Sequence, residues 1–539
     1  MSKKCNISPD LEAVEREIDS DYRRNHFANI IFSEAAWYFL AFCEDRQFKS
    51  IEVDRVGTHQ DLAVDVDGFV NSMKTPLRWL WRACKPGSKV SRRYNAKCYQ
   101  ASWDLTNLAS NYDVFELVYV YARAGVIKVD LQGDTIVATA PFGTDSRFEA
   151  YDRLYTEPDG GQQAAGVKFL RDVADTVTVA GQHFSYKIDA QVVMRGIKEL
   201  SPVLGAHCTL PASWTLPRYS LGEFRAVAFA LQVRAMIHHV ARVEAARRGC
   251  IGIGYIDSVL VLEKSCLLGK LRKYVGLSEQ VISDIVRDLT FGEHDVRNPD
   301  PALQPLIPLT PTLIAIPPGL FIDVNMERNF AVLLNRFPDE RDAYSRLSTE
   351  REGLSRERAI TQLKPLGLRF WSGRIPGRPD LPDVDLAIID DRDFVCLVLE
   401  LKAFLQPAEP REILEKSEEI ARGVVQADKL ENASRLNPGV VTTPLGIGDR
   451  YRLSFAVASE TSIGTHDVQS QTIPVVRTSH LVRRLVGGCS LSDVCHWLSA
   501  REYLPVEGRH YAIVDRAARV GRWNTKWYAI KPLMLGEYR

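Results

Sequence analysis

The sequence predicts an α/β C-terminal domain, with a mixed sheet flanked by helices, after an N-terminal part that is mainly α with small β elements. In the C-terminal part, short apolar segments such as 384–390 and 394–400 alternate with long helical patterns such as 409–437. Strands that alternate with helices are typical of an α/β layer. In the N-terminal part, residues 221–249 form one long helical pattern that ends at a glycine, the usual residue after a helix.

The remaining elements follow from periodicity and from turn residues. In the N-terminal part we expect helices over 9–48 and 113–125, a strand pair around a glycine turn over 126–139, and a helix that begins after Ser278 as its N-cap. The C-terminal part adds a helix over 340–366, a strand over 368–373, a Gly/Pro loop over 373–382, strands over 451–459 and 472–477, and a helix over 479–487.

A chain of 539 residues suggests about three or four domains. A Gly-rich stretch over 141–165 predicts a loop and a boundary, and a Pro-rich stretch over 292–318 predicts a seam. The expected division is a helical N-terminal domain with a basic segment (1–150), a helical/β middle region (151–335), the α/β domain (336–490), and an extension that packs on that domain (491–539).

Charge and composition exclude several classes of protein. The chain has 68 basic and 68 acidic residues, so it does not coat nucleic acid or acidic membranes by bulk charge, and any such contact needs a local patch. No apolar run approaches the roughly 20 residues that span a bilayer, and no secretory leader is visible. The ten cysteines include no C-x-x-C pair. We therefore expect a cytoplasmic protein with reduced thiols and no membrane partner.

Charged side chains lie at the end of two apolar strands. Asp383 and Asp385 begin the first strand, and Glu400 and Lys402 end the second. Strand alternation puts Glu400 and Lys402 on one face. A short turn would place Asp383 opposite Glu400 and Asp385 diagonal to it, so that either aspartate remains a candidate ligand. Carboxylate oxygens that converge in this way suit Mg²⁺ or Mn²⁺.

This stretch resembles the PD-(D/E)xK, or restriction-endonuclease-like, nuclease superfamily. The matching residues are Asp385, then fourteen intervening residues, then Glu400-Leu401-Lys402. The helix upstream is similar to the family's first core helix, with Glu357 where an acidic residue often stands. The helix after the motif carries Gln426, as in some branches of the family. The resemblance covers roughly 340–490, and residues 1–335 resemble no family.

The resemblance implies metal-dependent phosphodiester hydrolysis. Asp385 and Glu400, helped by the Leu401 carbonyl, would hold one or two Mg²⁺ (or Mn²⁺) ions. Lys402 would orient the attacking water or stabilise the transition state. Glu357 would bind a second metal or a water, and Gln426 would position the scissile phosphate or Lys402. Nuclease domains attached to long unfamiliar regions also resemble prokaryotic restriction or anti-phage defence effectors, which is an analogy of architecture.

A basic segment over 74–100 contains eight basic residues and no acidic one, interleaved with Trp79, Trp81, Tyr94 and Tyr99. This pattern is typical of phosphate contact combined with base stacking. An amphipathic helix that buries its tryptophans, followed by a solvated basic loop, explains the pattern equally well, and both remain open. If the loop binds nucleic acid, the contacting residues are Lys85, Lys89, Arg92, Arg93 and Lys97.

The second cluster of basic and aromatic residues, over 509–531, is better explained as a packed strand with basic side chains on its outer face. The expected partner is nucleic acid, with DNA favoured over RNA. Cutting of both strands would favour a homodimer, since one site cuts one strand. The chain lacks a G-x-x-x-x-G-K-[ST] motif, so a separate ATPase or helicase subunit is the other expected partner. The alternative function is a nuclease-like binding or assembly subunit that is inactive alone.

Overall fold

A computed structural model of the chain describes most of the 539 residues. The described ranges are 9–49, 72–85, 87–139, 145–155, 168–205, 208, 210–249, 256–296, 298–322, 324–337, 341–407 and 409–533.

Sixteen α-helices lie within the described residues. In chain order they are α1 (Pro9–Ile18), α2 (Phe32–Phe48), α3 (72–83), α4 (Ala96–Arg123), α5 (Ser146–Leu154), α6 (Lys168–Asp175), α7 (Ala190–Gly205), α8 (Leu221–Arg247), α9 (Lys264–Val275), α10 (Glu279–Asp288), α11 (Met326–Leu334), α12 (Arg341–Leu363), α13 (Pro410–Leu436), α14 (Gly439–Thr442), α15 (Thr478–Val486) and α16 (Leu491–Ser499).

Fourteen strands form four sheets within the same residues. The strands are β1 (Lys128–Gln132), β2 (Thr135–Thr139), β3 (Thr178–Ala180), β4 (His183–Ser185), β5 (Leu260–Glu263), β6 (Ile307–Pro308), β7 (Leu313–Ile316), β8 (Arg369–Gly373), β9 (Val384–Asp390), β10 (Val395–Lys402), β11 (Arg452–Ser459), β12 (Val475–Arg477), β13 (Tyr511–Val520) and β14 (Trp523–Pro532). The sheet orders are β12-β11-β10-β9-β8, β1-β2-β14-β13, β5-β7-β6 and β3-β4.

The chain divides into two compact units that differ from the four consecutive segments expected from the sequence. The sheet unit comprises Met1–Glu12, Phe115–Asp159 and Ser345–Arg539. The helical unit comprises Ala13–Val114 and Gly160–Tyr344. The Pro-rich stretch over 292–318 is not a seam, because it contributes β6 and β7 to a sheet inside the helical unit.

The predicted fold class is confirmed. In the sheet unit, β8, β9 and β10 pair with one another in antiparallel fashion, whereas β11 and β12 run parallel to β10. Helix α13 makes the crossover between the parallel strands β10 and β11, as such a connection requires. All residues of β10 before Lys402 are buried, and each buried aliphatic side chain contributes about 1.5–3 kcal/mol by leaving water.

The second sheet of this unit joins distant parts of the sequence. Strand β14 pairs in parallel with β2 over Asn524–Lys526, and β13 pairs with β14 along its whole length. Helix α5 lies in a stretch predicted to be loop, so that prediction is wrong over 146–154. Its Glu149 accepts a hydrogen bond from Tyr528 of β14 (2.7 Å), and its Asp152 accepts one from Arg477 of β12 (3.2 Å). Helix α5 therefore contacts both sheets of the unit.

The helical unit is built around α8. Ser220 and Glu223 form a reciprocal capping box at its start, and most of its residues are buried. The predicted N-cap of α10 is confirmed, since Ser278 accepts a hydrogen bond from the Val281 N–H (3.3 Å). Every cysteine within the described residues has a free thiol. None of the described helices has the length and apolar character needed to cross a bilayer.

Candidate active site

The turn between β9 and β10 sets which carboxylates meet. The strands pair from Asp390 with Val395 to Leu386 with Leu399, across a four-residue loop over 391–394. The expected register is therefore wrong by two residues: continuing the observed pairing by one step places Asp385, and not Asp383, opposite Glu400. A shift of two residues keeps every side chain on its original face.

Asp385 is fixed at the end of the strand pair, whereas Asp383 is not. The Asp385 carboxylate accepts a hydrogen bond from the Leu401 N–H (2.8 Å). Asp383 is exposed and its carboxylate lies 3.4 Å from Arg374, which is also exposed. Because the N–H and C=O of one strand residue point to the same side, the Leu401 carbonyl also points toward Asp385.

Glu400 and Lys402 form a close pair on one face of β10. Only 5% of Glu400 is exposed, and the Lys402 ammonium donates to its carboxylate (2.7 Å). The same ammonium lies 3.3 Å from the amide oxygen of Gln426 on α13. The structure thus brings Asp385, Glu400, Lys402 and Gln426 together.

Gly423 on α13 permits this close approach. A Cβ atom at this position would lie 2.7 Å from Cε of Lys402 and 3.3 Å from Cγ of Glu400. Both distances are shorter than ordinary van der Waals contact, so a larger residue would displace Lys402. Gly423 and Gln426 are three residues apart and share a helix face.

Helix α12 contributes Glu352 instead of Glu357. The charge of Glu352 interacts with Asp385, Glu400 and Lys402. Both glutamates reach solvent, but at about 100° per residue Glu357 is turned by about 140° from Glu352 around the helix axis. Glu357, the residue predicted from the sequence, therefore does not lie with the other carboxylates. Glu352, five residues earlier, does.

A second contact holds α12 in this orientation. Glu460, directly after β11, accepts from Arg351 (2.9 Å) and from Arg358 (2.7 Å). Its own N–H donates to the Lys402 carbonyl (2.9 Å). Arg351 and Arg358, seven residues apart on α12, therefore both bind the residue that follows β11, the strand next to β10.

Burial and mutual repulsion raise the pKa of the site carboxyls. Burial, and then the charge of Asp385, raises the pKa of Glu400 to about 7, although the Lys402 ammonium opposes this. Burial likewise raises the pKa of Asp385, against the hydrogen bond from Leu401 and the charge of Lys402. Partial burial of its carboxyl, and the negative charge of Asp385, raise the pKa of Glu352. The site therefore concentrates more negative charge than Lys402 neutralises.

These residues fit a small divalent cation. Among the described residues, no group of three His, Cys, Asp or Glu side chains is arranged to surround a metal ion. Mg²⁺, however, usually takes only one or two carboxylates and keeps several waters. Asp385, Glu400 and the Leu401 carbonyl supply hard oxygen donors, and a cation beside the two carboxylates would offset the repulsion by Asp385 that, after burial, raises the pKa of Glu400.

The basic segment lies in the helical unit, and its aromatic side chains differ in their exposure to solvent. Trp79 on α3 is buried and stacks on Tyr22, with ring centroids 5.1 Å apart, as the packed-helix interpretation requires. Trp81 and Tyr94 are 42% and 57% exposed. The five predicted contact residues are all exposed, and one of them, Arg92, pairs with Asp257 (3.2 Å). These exposed positions are Lys85, Lys89, Arg92, Arg93 and Lys97.

Three residues at this site were not among those predicted from the sequence: Glu352, Gly423 and Glu460. A helical wheel of α12 would have compared Glu352 with Glu357, but the face toward the sheet is fixed by the pairing of Arg351 with Glu460, which lies more than a hundred positions away. The glycine inside the long helix α13 was a visible signal, because a glycine there is costly unless something packs closely against it.

Comparison of the chain with protein-family models, with characterised proteins and with solved structures found no match. Its function must therefore be inferred from the residues and their geometry.

Proposed function

We propose that the sheet unit is a Mg²⁺- or Mn²⁺-dependent nuclease of the PD-(D/E)xK kind that hydrolyses phosphodiester bonds, with DNA as the favoured substrate. One observation carries the proposal. The half-buried carboxylate of Asp385 and the buried carboxylate of Glu400 lie beside the Lys402 ammonium at the end of two paired strands. Buried charged groups with perturbed pKa values are typical of functional sites, because burial is costly without a compensating role.

Each residue has a defined part in this proposal. Asp385, Glu400 and the Leu401 carbonyl hold the cation. When bound, the cation supplies Lewis acidity toward phosphate and a more acidic bound water. The Lys402 ammonium would stabilise the negative charge of the phosphate. Gln426 positions the Lys402 ammonium through a hydrogen bond. Glu352 replaces Glu357 as the acidic group of the first helix, where it holds a water or a second cation.

The exposed cations of the basic segment support a polyanionic substrate. Lys85, Lys89, Arg93 and Lys97 are exposed, and two aromatic side chains of the same segment, Trp81 and Tyr94, are also accessible. Cations gain affinity for nucleic acid by releasing counterions from phosphates, and aromatic rings stack with bases.

The test is cleavage of plasmid, linear duplex DNA, single-stranded DNA and RNA, each with Mg²⁺, with Mn²⁺ and with EDTA. We expect metal-dependent cleavage that Asp385→Asn and Glu400→Gln abolish. Asp383→Asn is the matched control, because that aspartate directly precedes the same strand but is exposed, and it should cut like the wild type.

Two outcomes oppose the proposal. Cleavage by Glu400→Gln and Lys402→Ala at the wild-type rate would show that the site lies elsewhere. The second opposing outcome is a wild-type protein without cleavage whose calorimetric titration with Mn²⁺ releases no heat. That result favours the alternative of a nuclease-like binding or assembly subunit.

A further inference from the structure

Arg234 on α8 is a buried cation without a counter-charge. The residue is 4% exposed, and two of its three guanidinium nitrogens, Nε and Nη1, are buried without a hydrogen-bond partner within the described residues. No carboxylate of those residues forms an ion pair with it. An arginine keeps its charge in a folded protein, and the burial of an unpaired charge is costly. The described part of the chain therefore leaves the charge of Arg234 uncompensated.

The other buried or nearly buried arginines of α8 do have a carboxylate partner. Arg225 pairs with Glu327, and Arg242, which is 1% exposed, lies 3.7 Å from Asp45. Arg234 lies between these two arginines on the same helix. The uncompensated charge is therefore a property of this one position and not of the helix.

His238, one turn after Arg234 on α8, is neutral. Its Nε2 lies 2.8 Å from the Asp257 carbonyl, which only accepts, so Nε2 carries the hydrogen. Burial, and then the charge of Arg234, lower the pKa of His238 to about 3, so Nδ1 is unprotonated and accepts from the Tyr186 hydroxyl (3.0 Å). His238 therefore adds no charge, and both of its ring nitrogens are already used.

Two tyrosines complete the surroundings of the guanidinium. Burial raises the pKa of Tyr186, and the charge of Arg234 together with a hydrogen bond from it opposes that rise. The same charge acts on Tyr274 of α9, whose pKa burial raises, so that its hydroxyl keeps its proton. Within the described residues the Tyr274 hydroxyl makes no hydrogen bond. A cation and an unused hydroxyl donor thus lie close together.

This cluster lies near the surface of the helical unit. Tyr186 is half-buried, and its two neighbours in sequence are exposed. Cys266, whose side chain is exposed, is close enough to Tyr274 to raise the pKa of that hydroxyl. A small ion therefore has only a short distance to travel from solvent to the guanidinium.

We propose that the helical unit binds a tetrahedral oxyanion at Arg234, the phosphate of inorganic phosphate or of a nucleotide, with the Tyr274 hydroxyl as a second donor. Charge-assisted hydrogen bonds from a guanidinium to phosphate are among the strongest in proteins. The four oxygens of phosphate can accept from donors on two different helices. The site lies outside the unit that contains Asp385 and Glu400, so it goes beyond the proposed nuclease activity and does not depend on it.

The experiment is calorimetric titration of the full chain with sodium phosphate in EDTA, with thermal melting of the same samples. EDTA keeps divalent cations out of the proposed nuclease site, so the heat does not report on that site. We expect the wild type to bind phosphate and to melt at a higher temperature in its presence. Arg234→Met should weaken binding at least about tenfold and remove this rise.

Two further variants make the test specific. Arg247→Met is the matched control, because Arg247 lies on the same helix but its side chain is 68% exposed, and it should bind phosphate like the wild type. Tyr274→Phe removes one donor and no charge, so it should weaken binding about two- to tenfold. This variant keeps the test decisive if Arg234→Met does not fold.

A nucleoside monophosphate and acetate complete the series. Nucleotide binding that is equal to or weaker than phosphate binding identifies the free ion as the ligand, tighter binding identifies a nucleotide, and either result supports the proposal. The proposal is overturned by acetate that binds as tightly as phosphate, or by a wild type that neither releases heat nor gains thermal stability with phosphate or nucleotide. A folded Arg234→Met or Tyr274→Phe that binds like the wild type would also overturn it.

Discussion

At the scale of single residues, the carboxyl group of Glu400 is the most informative group of the sheet unit. It lies near the end of a strand that is otherwise apolar up to that point, and its nearest cation, Lys402, only partly offsets the cost of burial. A carboxyl whose pKa is raised in the folded state binds its proton more tightly when folded than when unfolded. Stability from this group is therefore present at low pH and is lost as pH rises.

The first prediction follows from that sign. Between the ordinary pKa of 4.5 and the folded value of about 7, the metal-free protein should lose thermal stability, and Glu400→Gln should lose less, because it has no proton to release. Mn²⁺ affinity should rise with pH through about 7, since the cation and the proton compete for the same oxygens. Differential scanning fluorimetry and calorimetry measure the two effects. Mn²⁺ binding that is independent of pH, or unchanged in Glu400→Gln, would contradict it.

The second prediction concerns Gly423. In Gly423→Ala the new methyl group forces Cε of Lys402 to move and breaks its hydrogen bonds to Glu400 and Gln426. We expect kcat, measured by cleavage kinetics, to fall about ten- to a hundredfold with little change in KM, since small misplacements of a site group have effects of this size.

Gly353→Ala is the matched control for Gly423→Ala. Gly353 is also inside a helix of the sheet unit, but a Cβ there meets nothing within 4 Å. This variant should keep its activity and gain about 0.5–1 kcal/mol of stability, because alanine favours a helix over glycine. Equal activity of the two alanine variants would show that the contact with Lys402 has no function.

At the scale of elements, α12 depends on Glu460. Glu460→Gln should destabilise the protein by about 1–3 kcal/mol, because the nearly buried guanidinium of Arg351 loses its counter-charge. Activity should fall further than stability explains, since α12 also carries Glu352. Chemical denaturation and cleavage kinetics measure these effects. The control Asp380→Asn removes an exposed pair with Arg378 and should change neither; an unchanged Glu460→Gln would refute the anchoring role.

The elements around the site could be predicted closely from the sequence, whereas their pairing could not. Strand β9 and helix α13 lie within one residue of the expected bounds, because apolar runs and Gly/Pro boundaries are local signals. The predicted register was wrong at the loop over 391–394. Phe394 in this loop has a positive φ of 51°, which none of the residue types there predicts. The pairing of β14 with β2 joins positions almost four hundred residues apart, and no local pattern specifies it.

At the scale of the whole molecule, a net charge of zero conceals an uneven distribution of the charged groups that the proposed function uses. The carboxylates that would hold a cation lie in the sheet unit, whereas the exposed cations of the basic segment lie in the helical unit. The proposed metal site and the proposed nucleic-acid contacts therefore belong to different units. Substrate affinity and metal affinity should therefore respond to different substitutions.

The last prediction tests this separation. Replacing Lys85, Lys89, Arg92, Arg93 and Lys97 with alanine should weaken binding of duplex DNA about equally for all sequences, measured by fluorescence anisotropy in EDTA. The slope of log affinity against log salt concentration should fall by about 0.9 for each phosphate that the variant no longer neutralises. Mn²⁺ binding should not change, because Asp385 and Glu400 keep their surroundings.

Alanine at Lys187, Lys198 and Lys273, exposed lysines elsewhere in the helical unit, is the control for a change of net charge alone. Because these three lysines lie outside the basic segment, their removal should lower DNA affinity only slightly, through the weaker long-range attraction of the whole chain. The comparison is made per charge removed, at one salt concentration. An equal loss of affinity per charge in both sets would mean that the basic segment contributes only its charge and not a binding surface.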